Sequence, residues 1–192
     1  MSDALLQSIV DVVRATLGAR AASILLLDEA AGELVFAAVS QEGGAGLVGR
    51  RIPADTGLAG SVLASGQALV VEDVAQDPRF AGDRLDLGYV PKGLMSAPLL
   101  AGERAIGVLQ VLDRPRRPGF SLLELELLGR FAEQAVLAVE LGRRVAAGGG
   151  LPPEVERLRA ALGGLTPERR QAVLDVVGAV GRMLDHPEAP RD

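Results

Sequence analysis

The sequence predicts an α+β fold in which helices pack on a largely antiparallel sheet. Two pairs of apolar, strand-length segments are each joined by a short turn sequence, which is typical of hairpins. Helical patterns complete the order helix, two strands, helix, strand, helix, two strands and long helix. The first and last helices are separated in sequence by the whole sheet, so they can lie side by side on one of its faces.

The first helix is predicted from apolar residues that recur at helical spacing. Ser2 suits its N-cap and Gly18 suits its C-terminus. Residues 22–28 and 33–40 then predict a hairpin, and the first of these strands is apolar enough to be buried on both faces. The apolar stripe of the helix consists of Leu5, Leu6, Ile9, Val12, Val13 and Leu17.

The middle of the chain predicts a short helix and then a strand. Thr56 suits the N-cap of the helix TGLAGSVLASG, and Gly66 suits its C-terminus. Gly60, inside this helix, leaves room for the close approach of backbone or ligand. The run QALVVEDV, residues 67–74, predicts the strand.

The stretch EDVAQDPRF, residues 72–80, allows a structural and a functional interpretation. Asp77 followed by Pro78 suits the start of a helix, because the carboxylate accepts backbone N–H groups and proline loses no needed donor there. Side-chain oxygens at such positions usually bond to nearby backbone N–H groups, so we favour turn and cap formation over ligand contact for Asp73 and Asp77.

A second hairpin and the longest helix follow. Residues 92–101 and 104–113 predict the two strands, joined by a tight turn. Ser121 and Glu124 have the spacing of a capping box at the start of the helix. The predicted buried face of this helix consists of Leu125, Leu128, Phe131, Ala135, Val136 and Val139.

The helical pattern breaks after residue 147, and this break sets the predicted domain organisation. One domain covers residues 1–147, and the Gly- and Pro-rich residues 148–153 form a linker. Residues 154–185 predict a helical hairpin for dimerisation or for docking a protein partner. Residues 186–192 are expected to be a disordered tail.

The composition excludes several classes of function. The chain has no cysteine, which rules out disulfides, thiolate metal sites, cysteine nucleophiles and thioether-bound cofactors. A net charge of -5 and the lack of a dense Lys/Arg cluster argue against nucleic-acid binding. No signal-peptide pattern and no membrane-length apolar run is found, so we expect a soluble cytoplasmic protein.

Catalytic and metal-binding motifs are also missing from the sequence. There is no P-loop, no GxGxxG between strand and helix, no HExxH and no GxSxG. The single histidine, His186, lies in the predicted tail. A cofactor-free enzyme would need convergent carboxylates such as Asp83, Asp86 and Glu72 around a pocket. We therefore predict a protein that is not an enzyme, with no cofactor and no metal.

The segment Arg51 to Phe80 resembles the GAF family of small-molecule sensor and regulatory domains. The family pattern is followed by the glycines at 57, 60 and 66, by Gln67 and Asp73, and by the Pro78/Phe80 pair. The resemblance extends over about residues 5–147. It implies a six-stranded sheet with a pocket over one face, closed by the segment after DPRF, and dimerisation through the N- and C-terminal helices.

The resemblance also bears on the ligand. Members that bind cyclic nucleotides use an aromatic platform and an acidic residue at the end of the second strand, where this chain has Val39 and Ser40. Val39 cannot stack on a purine, a contact worth about 1–3 kcal/mol. The lid hydroxyls of such members fall near Leu87 and Pro91, which offer none. The sequence therefore argues against cyclic-nucleotide binding.

A mostly apolar pocket with a few hydroxyl groups is the remaining candidate for a ligand site. Tyr89 and Met95 can equally be residues of the core. The candidate ligand-binding residues are Ser23, Ser40, Phe80, Tyr89, Met95 and Ser96.

A signature of the family survives in altered form near the start of the long helix. Its Asn-Lys, Phe and Asp-Glu positions correspond to Asp113, Arg114, Phe120 and Glu124, with Leu125 last. An ion pair between Arg114 and Glu124 can replace the usual Lys–Asp pair and fix the last strand to the long helix. We interpret this set as architectural, since Glu124 also belongs to the capping box.

The resemblance and the missing motifs together predict a non-enzymatic signalling protein. It would bind an unidentified small molecule non-covalently and form a homodimer, with no membrane or nucleic-acid partner. The alternative is a ligand-free dimeric scaffold for protein–protein interaction. A polar-lined cavity above the sheet, with hydroxyl groups pointing inward, would favour the sensor.

Overall fold

One six-stranded sheet organises the described part of the chain, which comprises residues 2–41, 46–79, 91–115 and 121–147 of a computed structural model. Neighbouring strands are antiparallel throughout, and their spatial order is β3-β2-β1-β6-β5-β4. The predicted α+β fold with a six-stranded antiparallel sheet is confirmed. The strands are β1 (Ala21–Asp28), β2 (Glu33–Ser40), β3 (Arg51–Pro53), β4 (Leu69–Val71), β5 (Leu94–Ala101) and β6 (Arg104–Leu112).

Within the described ranges, three α-helices accompany the sheet: α1 (Ser2–Leu17), α2 (Gly57–Ser65) and α3 (Ser121–Ala146). Helix α1 ends before Gly18, which has a positive φ of 60° that suits glycine. Helix α2 ends at Gly66, whose N–H donates to the carbonyl of Val62 at 2.9 Å. Thr56 is the N-cap residue as predicted, but its hydroxyl donates to the Pro53 carbonyl instead of accepting a helical N–H.

The main core lies between the sheet and the two terminal helices. Strands β1 and β6 are neighbours at the centre of the sheet, so α1, which precedes β1, and α3, which follows β6, share one face. The buried face predicted for α3 is confirmed, with Leu125 and Phe131 partly buried at its margin. Its buried members are Leu128, Ala135, Val136 and Val139.

The apolar stripe predicted for α1 divides into two sets. Leu6, Val13 and Leu17 are buried against the sheet. Leu5 and Val12 are 42% and 48% exposed and face away from it. The stripe is therefore wider than the surface that the sheet covers, and its outer edge is left for another contact.

The opposite face of the sheet carries α2 and two smaller apolar clusters. One cluster includes Leu25, Phe36 and Val108 with Val62 of α2. The other groups Ala21, Leu94 and Leu112 of the sheet with Leu58 of α2 and Val74. Helix α2 therefore packs over both clusters, which lie on successive parts of the same face.

Three details differ from the sequence prediction. Strand β3 was missed, because its three residues Arg51–Pro53 carry a charge and a proline. The strand predicted at 67–74 is limited to Leu69–Val71, and a 3₁₀ turn (Val74–Gln76) follows it. Asp77, predicted to start a helix, lies at the end of that turn. The helix predicted after it would extend beyond residue 79, outside the described residues. The linker, helical hairpin and tail predicted for 148–192 also lie outside them.

Candidate functional site

A row of polar side chains crosses the α2 face of the sheet. Ser23 of β1 is paired with Gln110 of β6, and Gln110 is paired on its other side with Ser96 of β5. Directly opposed residues in adjacent strands project from the same face. We call these three side chains the polar row; Val39 and Leu69 are the cross-strand neighbours at its two ends.

The packing of the adjacent residues shows which face the polar row occupies. The residues on either side of Ser23, Ala22 and Ile24, both pack in the core beneath α1 and α3. Met95 and Ala97, on either side of Ser96, pack there as well. Because side chains alternate along a strand, Ser23 and Ser96 point to the α2 face.

The polar row is buried between apolar neighbours. Ser96 is 0% exposed, and Ser23 and Gln110 are each 7% exposed. Helix α2 contacts both β5 and β6 and reaches an apolar cluster on each side of the row. Polar groups are thus enclosed at the centre of a sheet, where their hydrogen bonds must come from the protein, from water or from a ligand.

One atom of the polar row has no such partner. The hydroxyl oxygen of Ser96 is buried and makes no hydrogen bond within the structure that is described. A buried polar group without a partner costs about 1–3 kcal/mol, and native proteins keep few of them. The position therefore suits a hydrogen-bonding group that arrives from outside the chain.

The sequence predicted Ser23 and Ser96 as ligand-binding residues, and the structure brings them into one row. It places Ser40 and Met95 on the opposite face. The hydroxyl oxygen of Ser40 accepts from Arg14 Nε at 2.9 Å, and Met95 accepts from Arg114 Nε. These two residues cannot line one cavity with Ser23 and Ser96, because the sheet lies between them. Phe80, Tyr89 and the motif residue Phe120 lie outside the described residues.

Gln110 is not among the binding residues predicted from the sequence. Its signal is a single polar residue inside the apolar strand sequence VLQVL. A long polar side chain at a position that should be buried is unusual unless it has a partner. The exception in the apolar pattern was therefore more informative than the pattern itself.

The end of β2 links the two faces of the sheet. Val39 is the cross-strand neighbour of Ser23 and packs on the α2 face. Its carbonyl accepts from Gln7 Nε2 of α1 at 3.0 Å, while the next residue, Ser40, accepts from Arg14 of the same helix. Two consecutive residues thus contact the polar row on one side and α1 on the other.

The two aspartates of EDVAQDPRF make local contacts. Asp73 Oδ1 accepts from the Ala75 N–H, and Asp77 Oδ1 accepts from the Arg79 N–H. The Arg79 guanidinium also binds Asp77 and lowers the pKa of that carboxyl to about 2. Arg79 further donates to the Ser61 hydroxyl of α2. Turn and cap formation, which the sequence favoured, is what the structure shows.

Arg114 connects three elements at the end of β6. It lies 3.0 Å from Glu72 Oε1, just after β4, and 3.0 Å from Glu124 Oε2 in the first turn of α3. The contact to Glu124 is an ion pair without an aligned hydrogen bond. Asp113 accepts from the N–H groups of Lys92 and Gly93 at the start of β5. The contact between the last strand and the long helix is present, as an architectural role requires.

A cleft of about 630 Å³ opens beside Arg114 and is lined by charged residues of both signs. Glu72 pairs with Arg114, and Asp113 is bonded to backbone N–H groups. These groups hold strands and helix together, so we place the candidate ligand site at the polar row. In the described part of the chain, no group of three His, Cys, Asp or Glu residues could hold a metal ion. A search of the same residues finds no helix able to cross a membrane.

The sheet order, the terminal helices on one face and the buried polar row on the other define an α+β domain of the kind found in signalling proteins. The model of the GAF domain family matches residues 2–139, and the chain belongs to this family. The predicted resemblance is confirmed.

The chain is also similar to part of a much longer protein. It is 30% identical over 91 residues to the cone cGMP-specific 3',5'-cyclic phosphodiesterase subunit alpha' of Mus musculus, an alignment that covers 46% of this chain and 10% of the mouse protein. This chain thus spans a small part of that relative.

Solved structures show the same fold. The GAF domain of a phosphoenolpyruvate-protein phosphotransferase from Coxiella burnetii has a TM-score of 0.66 at 22% identity, covering 78% of this chain and 87% of that chain. The second GAF domain of DevS from Mycobacterium smegmatis has a TM-score of 0.60 at 20% identity, covering 77% of this chain and 99% of that one. At these identities the similarity speaks for the fold alone.

Proposed function

We propose that this chain is a non-catalytic regulatory module that binds a small molecule non-covalently at the polar row and pairs with a second copy through α1 and α3. The observation that carries the proposal is the buried hydroxyl of Ser96, which has no hydrogen-bond partner beside Gln110 and Ser23. A ligand atom bonded to it would remove the cost of an unsatisfied polar group.

The polar row lacks the groups needed for catalysis. It consists of two hydroxyls and an amide, and a serine nucleophile needs an adjacent base to activate it. The carboxylates closest to it in sequence, Asp28 and Asp113, bind Arg51 and the backbone N–H groups of Lys92 and Gly93 instead. Binding without chemistry is the function that this set of residues supports.

A cyclic nucleotide is a poor candidate for the ligand, although the name of the mouse relative includes cGMP. Val39 ends the polar row where an aromatic platform would be required, and it packs in an apolar cluster. No described residue of the polar row carries the positive charge that a phosphate would require.

The proposed dimer uses the outer surface of the terminal helices. Leu5 and Val12 of α1 and Leu137 of α3 line a groove of about 400 Å³ and are 42%, 48% and 58% exposed. All the residues that line this groove are uncharged. A two-fold interface sets a patch against its own copy, so a patch without charge avoids repulsion between like charges. A second copy of this chain is therefore the occupant that we propose.

The test combines ligand retention with stability. The protein is incubated with a small-molecule extract of cells, and native mass spectrometry detects any retained compound, which denaturing release then identifies. Ser96→Ala removes the unpaired hydroxyl, so we expect the ligand-free variant to melt at a higher temperature and to retain less of the compound. Ser65→Ala makes the same chemical change at an exposed position, where the hydroxyl accepts from the Gln67 N–H at 3.3 Å. It should leave retention of the compound unchanged and should not raise the melting temperature.

Two results would contradict the proposal. The first is a protein that retains no compound from the extract. The second is a compound that Ser96→Ala retains as well as the wild type does. Bare subunits that still pair as dimers would instead favour the ligand-free scaffold. Docking of a protein partner by residues 154–185 concerns residues outside the described ranges and stays a prediction.

A further inference from the structure

Among the described residues, the polar row and the sheet rows on either side of it carry no charge. The row above it contains Ala21, Leu112 and Leu94, and the row below contains Leu25, Val108 and Pro98. An ionised group pressed against this surface would lose its hydration without gaining a partner of opposite charge among these residues. The portion of a ligand that touches the polar row should therefore be uncharged.

Gln110 defines the hydrogen-bonding pattern of the row. Its carboxamide presents one acceptor and two donors, and it lies between two hydroxyls that can each donate or accept. A carboxamide binds best to a group that offers a donor beside an acceptor, because two parallel hydrogen bonds then form. A cyclic amide, in which an N–H lies next to a C=O, has this edge.

The flanking hydroxyls extend the same pattern. Ser96 has a buried hydroxyl without a partner on one side of Gln110, and Ser23 lies on the other side. A carbonyl of the bound molecule, next to the N–H that Gln110 receives, would accept from a serine. The apolar rows above and below suit the faces and hydrocarbon parts of a ring.

We infer that the ligand presents an uncharged cyclic amide edge to Gln110, with the hydroxyls of Ser96 and Ser23 bonding its flanking carbonyl groups. This inference rests on the proposed function, since it assigns the chemical class bound at the same site. It covers lactam and imide rings and excludes ligands that are anionic at this edge.

Five small rings test the inference on the full chain. Uracil is a neutral imide with an exposed N–H between two carbonyls. In 1,3-dimethyluracil both N–H groups are blocked, and barbiturate is a ring of the same size that is ionised at neutral pH. Hypoxanthine and 2-pyrrolidinone add neutral lactams of larger and smaller size. Dissociation constants are measured by ligand-observed NMR, which reaches the weak affinities of such small molecules.

We expect at least one neutral lactam or imide to bind, and the blocked and ionised rings to bind more weakly by roughly tenfold or more. The blocked ring loses the paired hydrogen bonds, and the ionised ring loses hydration of its charge without gaining a partner of opposite charge in the polar row. Gln110→Met keeps the length of the side chain without its amide and should weaken binding of the neutral ring by a similar factor. Gln76→Met, at an exposed position, is the matched control. If Gln110→Met does not fold, Ser96→Ala takes its place.

The outcomes separate this inference from the proposed function. A compound that is retained from the extract in a Ser96-dependent manner, while no neutral lactam or imide binds, would overturn the inference alone. Equal binding of uracil and 1,3-dimethyluracil, or binding unaffected by Gln110→Met, would also overturn it. Failure of both the extract and the five rings would remove the inference together with the proposed function.

Discussion

At the scale of single residues, the side-chain oxygens of Asp113 and Ser96 differ in hydrogen bonding. Asp113 has a left-handed backbone with φ of 53°, and its Oδ1 accepts from Lys92 N at 2.7 Å and Gly93 N at 3.1 Å. Its own N–H donates to the Gly93 carbonyl. Asp113 therefore joins the end of β6 to the start of β5 through three hydrogen bonds to backbone groups, whereas the Ser96 hydroxyl is left without a partner.

Asp113 allows a test that separates geometry from charge. Asp113→Asn keeps the acceptor oxygen and tolerates the left-handed backbone, so we expect a free energy of unfolding within about 1 kcal/mol of the wild-type value. Asp113→Ala loses two hydrogen bonds and leaves the left-handed backbone without the polar side chain that compensates for it, which should cost about 2–4 kcal/mol. Urea unfolding measures both. An asparagine variant as unstable as the alanine variant would mean that the carboxylate charge is what matters.

At the scale of elements, the sequence predicts long periodic segments well and short ones poorly. The helices around the sheet and both hairpins carry enough apolar residues to be found from their period. Strands β3 and β4 have three residues each and form by pairing with the neighbouring strands β2 and β5. The local sequence does not indicate this pairing. The bulge between Ile24 and Leu25, where the pairing of β1 with β2 shifts, is also set by pairing.

The candidate site was predictable only in part for the same reason. Ser23 and Ser96 could be selected as hydroxyls in apolar strands, but which face each one occupies depends on register. Ser40 is paired with Ala22, the residue before Ser23, and Met95 is the residue before Ser96. Each is therefore one position out of step with the polar row and projects from the other face of the sheet. A shift of one residue decides between ligand site and core, and periodicity does not supply that shift.

Gly107 provides the test at this scale. It is paired with Leu26, and a Cβ added there would lie 2.3 Å from the Leu25 carbonyl oxygen and 3.1 Å from Leu26 Cα. Both atoms are backbone, so they cannot move aside as a side chain would, and we expect Gly107→Ala to cost about 1–3 kcal/mol or more.

The control for this test is the same substitution at Gly129 in α3. A Cβ there meets nothing within 4 Å, and alanine favours a helix over glycine by about 1 kcal/mol. The melting temperature should therefore fall for Gly107→Ala and rise for Gly129→Ala, by about 2–4 °C for each kcal/mol of change in the free energy of unfolding. A Gly107→Ala protein that melts with the wild type would show that β1 and β6 can separate locally without cost.

At the scale of the whole molecule, the sheet divides two tasks between its faces. One face packs the terminal helices, and the other encloses the polar row under α2. The exposed residues of the α1 stripe, Leu5 and Val12, lie on the side of the sheet that carries the terminal helices. The proposed dimer and the proposed ligand therefore occupy different surfaces, and one can be altered without direct contact with the other.

The dimer is tested by a charge in the groove between α1 and α3. Leu137→Glu would set carboxylates against each other across a two-fold interface, so we expect the variant to sediment as a monomer at concentrations where the wild type is a dimer. Val48→Glu places the same charge at another exposed apolar residue and should leave the dimer intact. Monomeric wild type, or equal dissociation of both variants, would refute this interface.

The end of β2 has a thermodynamic consequence for these two surfaces. Val39 borders the polar row, while its carbonyl and the Ser40 hydroxyl accept hydrogen bonds from α1. The same two residues therefore contact both the proposed ligand site and a helix of the proposed dimer interface. If a bound molecule displaces this backbone, it changes the free energy with which two copies associate. Linkage then requires that association change the affinity for the molecule by the same factor. The protein concentration would itself become a variable of sensing.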